Sequence, residues 1–216
     1  MKLYKFIAFL SGSLFLSLAM PASTFAQYFA EEHWHQGFAI VESGDTLQGL
    51  LQYNTDTETL QVRGASSVQT YSSRKLLAFQ FQDSQLNINR LFYVFPFPKV
   101  SEYPTPIFFE LLERGKAVTL LQREMLVVRT INNRPFWGAP TVFTPVPVQV
   151  RHVEPIFYFF YESGKVKRFN GSRKQLASLL PNYNSSLKKY IKDKGLNPKR
   201  IDDLIQIIRY YNEQNP

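Results

Sequence analysis

Hydrophobic and polar positions alternate with a period of two along most of residues 37–169, then change to helical spacing toward the C-terminus. Leu77, Phe79 and Phe81 alternate with Ala78 and Gln80. Leu86, Ile88, Phe92 and Val94 share one parity, and Asn87, Asn89, Leu91 and Tyr93 share the other. Alternation of this kind, rich in aromatic and β-branched residues, predicts strands with one face toward a core. Three segments read as hairpins of one style. Phe38–Val41 leads through Glu42-Ser43-Gly44-Asp45 into Thr46–Tyr53. Ile107–Leu112 leads through Glu113-Arg114-Gly115-Lys116 into Ala117–Gln122. Ile156–Tyr161 leads through Glu162-Ser163-Gly164-Lys165 into Val166–Phe169. In each, the glycine is expected to supply the positive φ of a tight turn.

Two proline-rich stretches interrupt the alternation, 95–106 and 134–147. Proline cannot donate to a strand ladder, so both are predicted as loops or edge segments. They carry more aromatic residues than wet loops require. Those rings either fold back over the sheet or form an apolar, semi-rigid surface that receives a partner. Phe97, Tyr103, Phe136 and Trp137 are the candidates for that surface.

Beyond Phe169 the signals are helical. Ser172 precedes Gln175 at capping-box spacing, Leu176, Leu179 and Leu180 follow, and Pro181 ends the helix. Asn184 or Ser185 caps a second helix that carries Leu187, Tyr190 and Ile191 on one face, with Gly195 at the C′ position. For a third helix, Asn197 is the expected N-cap and Pro198 the first residue, with Leu196 and Ile201 spaced as a hydrophobic staple. Ile201, Leu204, Ile205, Ile208 and Tyr211 make its apolar stripe, a docking face for the body or a partner. The fold class expected is α+β: an antiparallel β-sheet or open barrel-like body, followed by two or three C-terminal helices. No polar linker separates the two parts, so residues 27–216 are expected to form one unit, with a β-rich body over 27–169 and a basic helical tail over 170–216.

Composition narrows the setting. The chain of 216 residues is 44% hydrophobic and 15% aromatic, which excludes a disordered protein. It has no cysteine, which excludes disulfides, thiolate metal sites, cysteine nucleophiles and a cysteine-linked lipid anchor. Residues 1–26 read as a secretory signal peptide. Lys2 and Lys5 start it, an interrupted apolar stretch runs from Phe6 to Met20, and Thr24-Phe25-Ala26 supplies the cleavage site. The apolar run is shorter than the roughly 20 residues of a spanning helix. The expected product is therefore exported, periplasmic or secreted, and possible at the outer membrane only as a peripheral protein, with no transmembrane span after cleavage.

Charge is uneven. Residues 27–160 hold 11 basic and 12 acidic residues, whereas 161–216 hold 12 basic and 5 acidic ones. The net charge of +8 is thus a property of the leader and the tail. Lys188, Lys189, Lys192 and Lys194 crowd around the second helix and are either a solvated polar face or an anion-binding one. No nucleic-acid signature accompanies them. The partner classes expected are an envelope protein or an anionic surface, and no cofactor is expected.

Catalytic signatures are sparse. His33-x-His35 lies beside Glu31 and Glu32 ahead of the first strand, and no metal site is expected there. His152-x-Glu154 is a spacing without a motif. No H-E-x-x-H, G-x-S-x-G or phosphate-cradling glycine motif occurs. The acids of the body mostly occupy turn-like positions, which favours solvation, although dispersed carboxylates for polymer hydrolysis would leave no linear trace. The function expected is that of a non-catalytic binding or interaction protein. The alternatives are an envelope-polymer hydrolase and an anionic-lipid binder.

The order of these pieces resembles a group of uncharacterised exported proteins of Bacteroidota-type bacteria. The resemblance rests on Gly37 to Gly49, on Val68-Gln69-Thr70-Tyr71 leading to Leu77-Ala78-Phe79, on Phe108 to Lys116, and on the ending Tyr210-Tyr211-Asn212. It implies export and a β-rich body with terminal helices. It implies no activity and no site residues.

Overall fold

The computed structural model describes residues 33–98, 103–132 and 147–216. Ten strands are present among them: β1 (His35–Val41), β2 (Thr46–Asn54), β3 (Thr59–Arg63), β4 (Val68–Ser72), β5 (Leu76–Asp83), β6 (Ile88–Phe97), β7 (Thr105–Glu113), β8 (Thr119–Asn132), β9 (Pro147–Phe160) and β10 (Val166–Phe169). Helices α1 (Arg173–Leu179), α2 (Ser185–Asp193) and α3 (Ile201–Gln214) follow. The strands form one sheet in the order β10-β9-β8-β7-β6-β5-β1-β2-β3-β4, and every pairing is antiparallel. No helix among the described residues is long and apolar enough to cross a membrane.

The sheet curls without closing. Tyr53 of β2 meets Phe108 of β7 edge-on, with ring centroids 5.4 Å apart. In a flat sheet β2 and β7 would be four strand spacings, about 19 Å, apart. The curl is filled by aromatic residues on the concave face. Phe79 stacks on Phe92 at 4.5 Å, Phe81 lies 5.6 Å from Phe92, and Leu51, Leu60 and Val62 complete the cluster. A second core forms where the helices cover β8–β10. Leu120, Phe157, Phe159 and Phe169 meet Leu176, Leu187, Ile191, Leu204, Ile207, Ile208 and Tyr211 there. A third, smaller cluster of Ile107, Phe109, Leu121 and Tyr158 lies on the opposite face of the sheet.

Local deviations from the alternation have identifiable causes. The β1–β5 register shifts between Ile40 and Val41, so Ile40 faces Ala78 while Val41 faces Leu76. The extra residue is Leu77, which is 50% exposed and not on the face of Phe79 and Phe81 as its parity predicts. Pro96 and Pro106 are not in loops: they sit opposite each other in the β6–β7 ladder. The Phe108 amide points away from β6, so by alternation the nitrogen of Pro106 does too, and this proline pair needs no N–H between its strands.

The helical tail has the caps its sequence predicts, with one exception. Ser172 Oγ accepts from the Gln175 amide at 3.1 Å, and Asn184 Oδ1 accepts from the Leu187 amide at 2.9 Å. Gly195, at φ +62°, closes α2 in a Schellman motif, in which the amides of Leu196 and Gly195 donate to the carbonyls of Ile191 and Lys192 at 2.9 and 3.1 Å. The exception is α3, which begins at Ile201 and not at Pro198. Asn197 forms its own turn instead: its Oδ1 accepts from the Lys199 amide at 3.1 Å and its carbonyl from the Arg200 amide at 2.9 Å. A side chain that bonds its own neighbouring backbone competes with the helix for those groups.

Gly115 also departs from expectation, because it does not take a positive φ. What its position requires is space: a Cβ there would meet the Asn212 carboxamide at 2.0 Å. That carboxamide fixes α3 to the sheet, since Asn212 Oδ1 accepts from the Val118 amide at 3.1 Å and Nδ2 donates to the Val118 carbonyl at 2.9 Å. Asn212→Ala leaves both groups of a fully buried residue without partners. The expected loss is about 2 kcal/mol of stability in urea unfolding, with little change in helical circular dichroism before the transition.

Candidate functional site

The concave face has a polar centre between its two apolar cores. Arg90 of β6 lies on the same face as Phe92, where alternation alone would place a hydrophobic residue. It is buried, 5.4 Å from the Phe92 ring and 5.8 Å from the Phe81 ring. Its charge is stabilised by a bidentate pair with Glu110 of β7: Nε donates to Oε1 at 2.9 Å and Nη2 to Oε2 at 2.6 Å. Nη2 also lies 2.9 Å from Glu124 Oε1 of β8, and Nη1 lies 3.8 Å from Asp83 Oδ2 of β5. Gln122 Nε2 donates to Glu110 Oε2 at 2.8 Å. Asp83 is shared with the β5–β6 turn, where Oδ1 accepts from the amides of Gln85 and Leu86, each at 3.1 Å.

A second ion pair adjoins the first. β8 pairs with β7 only over Glu110–Glu113 and then turns away to run with β9 over fourteen paired positions. The exposed ladder groups of β7 are taken up by the opposite side of the curl. The Phe108 amide donates to Glu58 Oε2 at 3.0 Å, and Ser73 Oγ donates to the Pro106 carbonyl at 2.7 Å. Arg123 of β8 pairs with the other Glu58 oxygen. Glu58 therefore bridges the fork between β7 and β8. Its turn is fixed by Asn54, whose Oδ1 accepts from the amides of Asp56 and Thr57 at 3.1 and 2.9 Å, and Glu58 itself takes a left-handed φ of +53°.

Four carboxylates, Asp83, Glu110, Glu124 and Glu58, thus surround two guanidinium groups. Burial works against the Arg90 charge, but the bonds to Glu110 and Glu124 outweigh it and hold its pKa above the ordinary arginine value. Glu124 is moved the other way. Burial, which Arg90 only partly offsets, raises its carboxyl above the usual range.

Glu124 and Arg123 also line a cavity of about 450 Å³ at the fork. Phe97, Tyr158 and Met125 give it apolar walls, and Asp56 and Arg168 add one charge of each sign. Phe97 packs edge-on against Phe109 and Tyr158, at 5.8 and 5.4 Å. Arg123 Nε itself is buried without a hydrogen-bond acceptor among the described residues. The size lies within the range of small-molecule pockets, roughly 300–1,000 Å³.

The residues singled out from sequence fall in different places. Phe97 ends β6 and lines the cavity. Tyr103 is 81% exposed and is not among the cavity's lining residues. Phe136 and Trp137 lie outside the described residues, as does the leader. Lys188, Lys189, Lys192 and Lys194 are all exposed at α2, and no ion pair reaches them among the described residues. His35 is buried in β1 and stacks on Phe81 at 4.5 Å. No group of three His, Asp or Glu side chains is arranged to hold a metal among the described residues. His152 and Glu154 do meet, at 2.9 Å, and this bond together with Arg129 lowers the Glu154 pKa.

The expectation that the body's acids are solvated at turns fails at the site. It holds for Glu42, Asp45 and Glu162, but Asp83 and Glu110 are buried and Glu58 and Glu124 are largely covered. The signal available in sequence was the parity of Arg90, which shares the core-facing positions of Phe92 and Val94. The chain matches no family model, no curated protein and no solved structure.

Arg90→Met would leave Asp83 and Glu110 buried without their counter-charge. The expected cost is about 3–5 kcal/mol at neutral pH. The double variant Arg90→Met, Glu110→Leu should recover part of this, because the Glu110 charge then leaves with its partner while Asp83 stays buried. Equilibrium unfolding of the two variants checks the difference.

Proposed function

We propose that this protein is an exported, non-catalytic binding protein whose ligand site is the cavity at the β7–β8 fork. The observation that carries the reading is the cavity's lining, in which the apolar walls of Phe97, Tyr158 and Met125 stand beside the cation Arg123. An anionic ligand group would be held there by charge-assisted hydrogen bonds. Arg168 lines the same cavity and adds a second cation. The ligand class that fits is a small molecule with an aromatic or branched apolar body and a carboxylate.

The network behind the cavity supports binding over catalysis. Glu110 is committed to Arg90 through both of its oxygens, and Glu58 to Arg123 and the Phe108 amide. Groups held this way provide a rigid wall. The reading of export rests on the leader-like residues 1–26. The exposed lysines of α2 supply the attraction that a peripheral position on an anionic envelope surface asks for.

A second reading has one specific observation in its favour. Glu124, with its raised pKa, and Asp56 line the same cavity, which is the arrangement a hydrolase of envelope polymers would use as acid and base.

Titration calorimetry with benzoate as the probe distinguishes the two. Binding is expected, and Arg168→Ala and Phe97→Ala should each weaken it by about tenfold, the equivalent of roughly 1.4 kcal/mol. Absence of binding, together with turnover of peptidoglycan that disappears in Glu124→Gln, would replace the binding reading with the hydrolase one.

A further inference from the structure

The long β8–β9 ribbon presents a strand edge that the rest of the fold treats differently from its other edges. The Tyr161 amide donates to the Lys165 carbonyl across the β9–β10 turn at 3.0 Å, so the odd-numbered backbone groups of β9 point toward β10. With Gln122 opposite Phe157, the even-numbered groups of β8 then point away from β9. They meet β7 as far as Gln122. From Glu124 onward, the N–H and C=O groups of Glu124, Leu126, Val128 and Thr130 have no strand beside them, and no hydrogen bond reaches them among the described residues.

Other edges are protected. The open part of β7 is closed by Glu58 and Ser73. The outward positions of β9 include Pro147 and Pro155, which have no N–H to offer. The terminal strands β4 and β10 are five and four residues long. The β8 edge has no proline and no bulge beyond Gln122, and it carries Met125, Leu126, Val127 and Val128 in succession. Val128 is 53% exposed. Among the described residues nothing covers this edge, and an edge that is long, β-branched and uncovered is a template for strand addition.

We propose that this edge pairs with the same edge of a second copy of the chain, antiparallel, about a two-fold axis through Val128. That register sets Val128 opposite Val128, Leu126 opposite Thr130 and Glu124 opposite Asn132. All five outward-facing residues of the free segment are then paired, giving roughly ten backbone hydrogen bonds. Charge selects the same register. Arg129 falls opposite Val127 and Glu124 opposite Asn132, so no like charges face each other. Moving the axis to Leu126 would bring Arg129 opposite Arg123. Moving it to Thr130 shortens the free segment that pairs. The exposed side chain of Val128 is covered by its own counterpart, as an isologous interface requires.

Sedimentation velocity on the purified protein tests the pairing, with folding checked by circular dichroism. The wild type is expected to be a dimer that dissociates on dilution. Val128→Glu sets two carboxylates opposite each other and should weaken association by at least about tenfold, and Val128→Lys should do the same. Both replacements are at an exposed position, so the monomer should remain folded. An equimolar mixture of the two variants should dimerise again. A wild type that stays monomeric, or a dimer unaffected by Val128→Glu, would overturn the proposal. So would two monomeric variants that fail to associate when mixed.

Discussion

The Glu58 carboxylate holds the curl of the sheet together. One oxygen accepts from the Phe108 amide on β7, the other pairs with Arg123 on β8, and the Glu58 carbonyl accepts from the Ser73 amide at 3.1 Å. These contacts join the β2–β3 turn to strands that lie four and five positions from β2 in the sheet. Without them, the β7 ladder groups exposed by the departure of β8 would have no partner in a largely dry place. The aromatic cluster fills the concave face, but apolar packing is non-directional and does not specify where two strands part. The directional bonds at Glu58 do.

The fork creates both surfaces to which function is assigned. Beyond Gln122, where β8 leaves β7, a cavity opens beside β8 next to Phe97 and the β2–β3 turn, and the rest of β8 is an edge without a neighbouring strand among the described residues. The ion network at Arg90 reaches the wall of that cavity through Glu124. Its contribution to net stability is small, since burying charges costs nearly as much as pairing them returns. Its effect is to fix the places of Glu110, Gln122 and Glu124 across adjoining strands.

Much of the fold was legible in the sequence because it rests on local signals. The Gly44 and Gly164 turns, the caps at Ser172 and Asn184 and the Schellman glycine Gly195 each involve residues within a few positions of one another. The failures involve partners far apart. Gly115 is read as a turn glycine until Asn212, almost a hundred positions away, is seen to need its space. Leu77 has the parity of Phe79 until the register shift opposite Val41 turns it outward. The site was less legible still. Arg90, Glu110 and Glu58 belong to three segments, and nothing local marks them as partners. The one trace is a charged residue on the apolar parity of β6. Exposed aromatic residues and lysines attract attention in a sequence, whereas a buried charge looks like a break in the pattern.

Amide hydrogen exchange in a Glu58→Ala variant tests the central claim most directly. The Phe108 amide should exchange much faster than in the wild type, and the faster exchange should spread through Ile107–Phe109 and Gln122–Arg123 while α1–α3 keep their protection. Unchanged protection at Phe108, or uniform loss over the sheet and the helices alike, would contradict the account of Glu58 as the clasp of the fork.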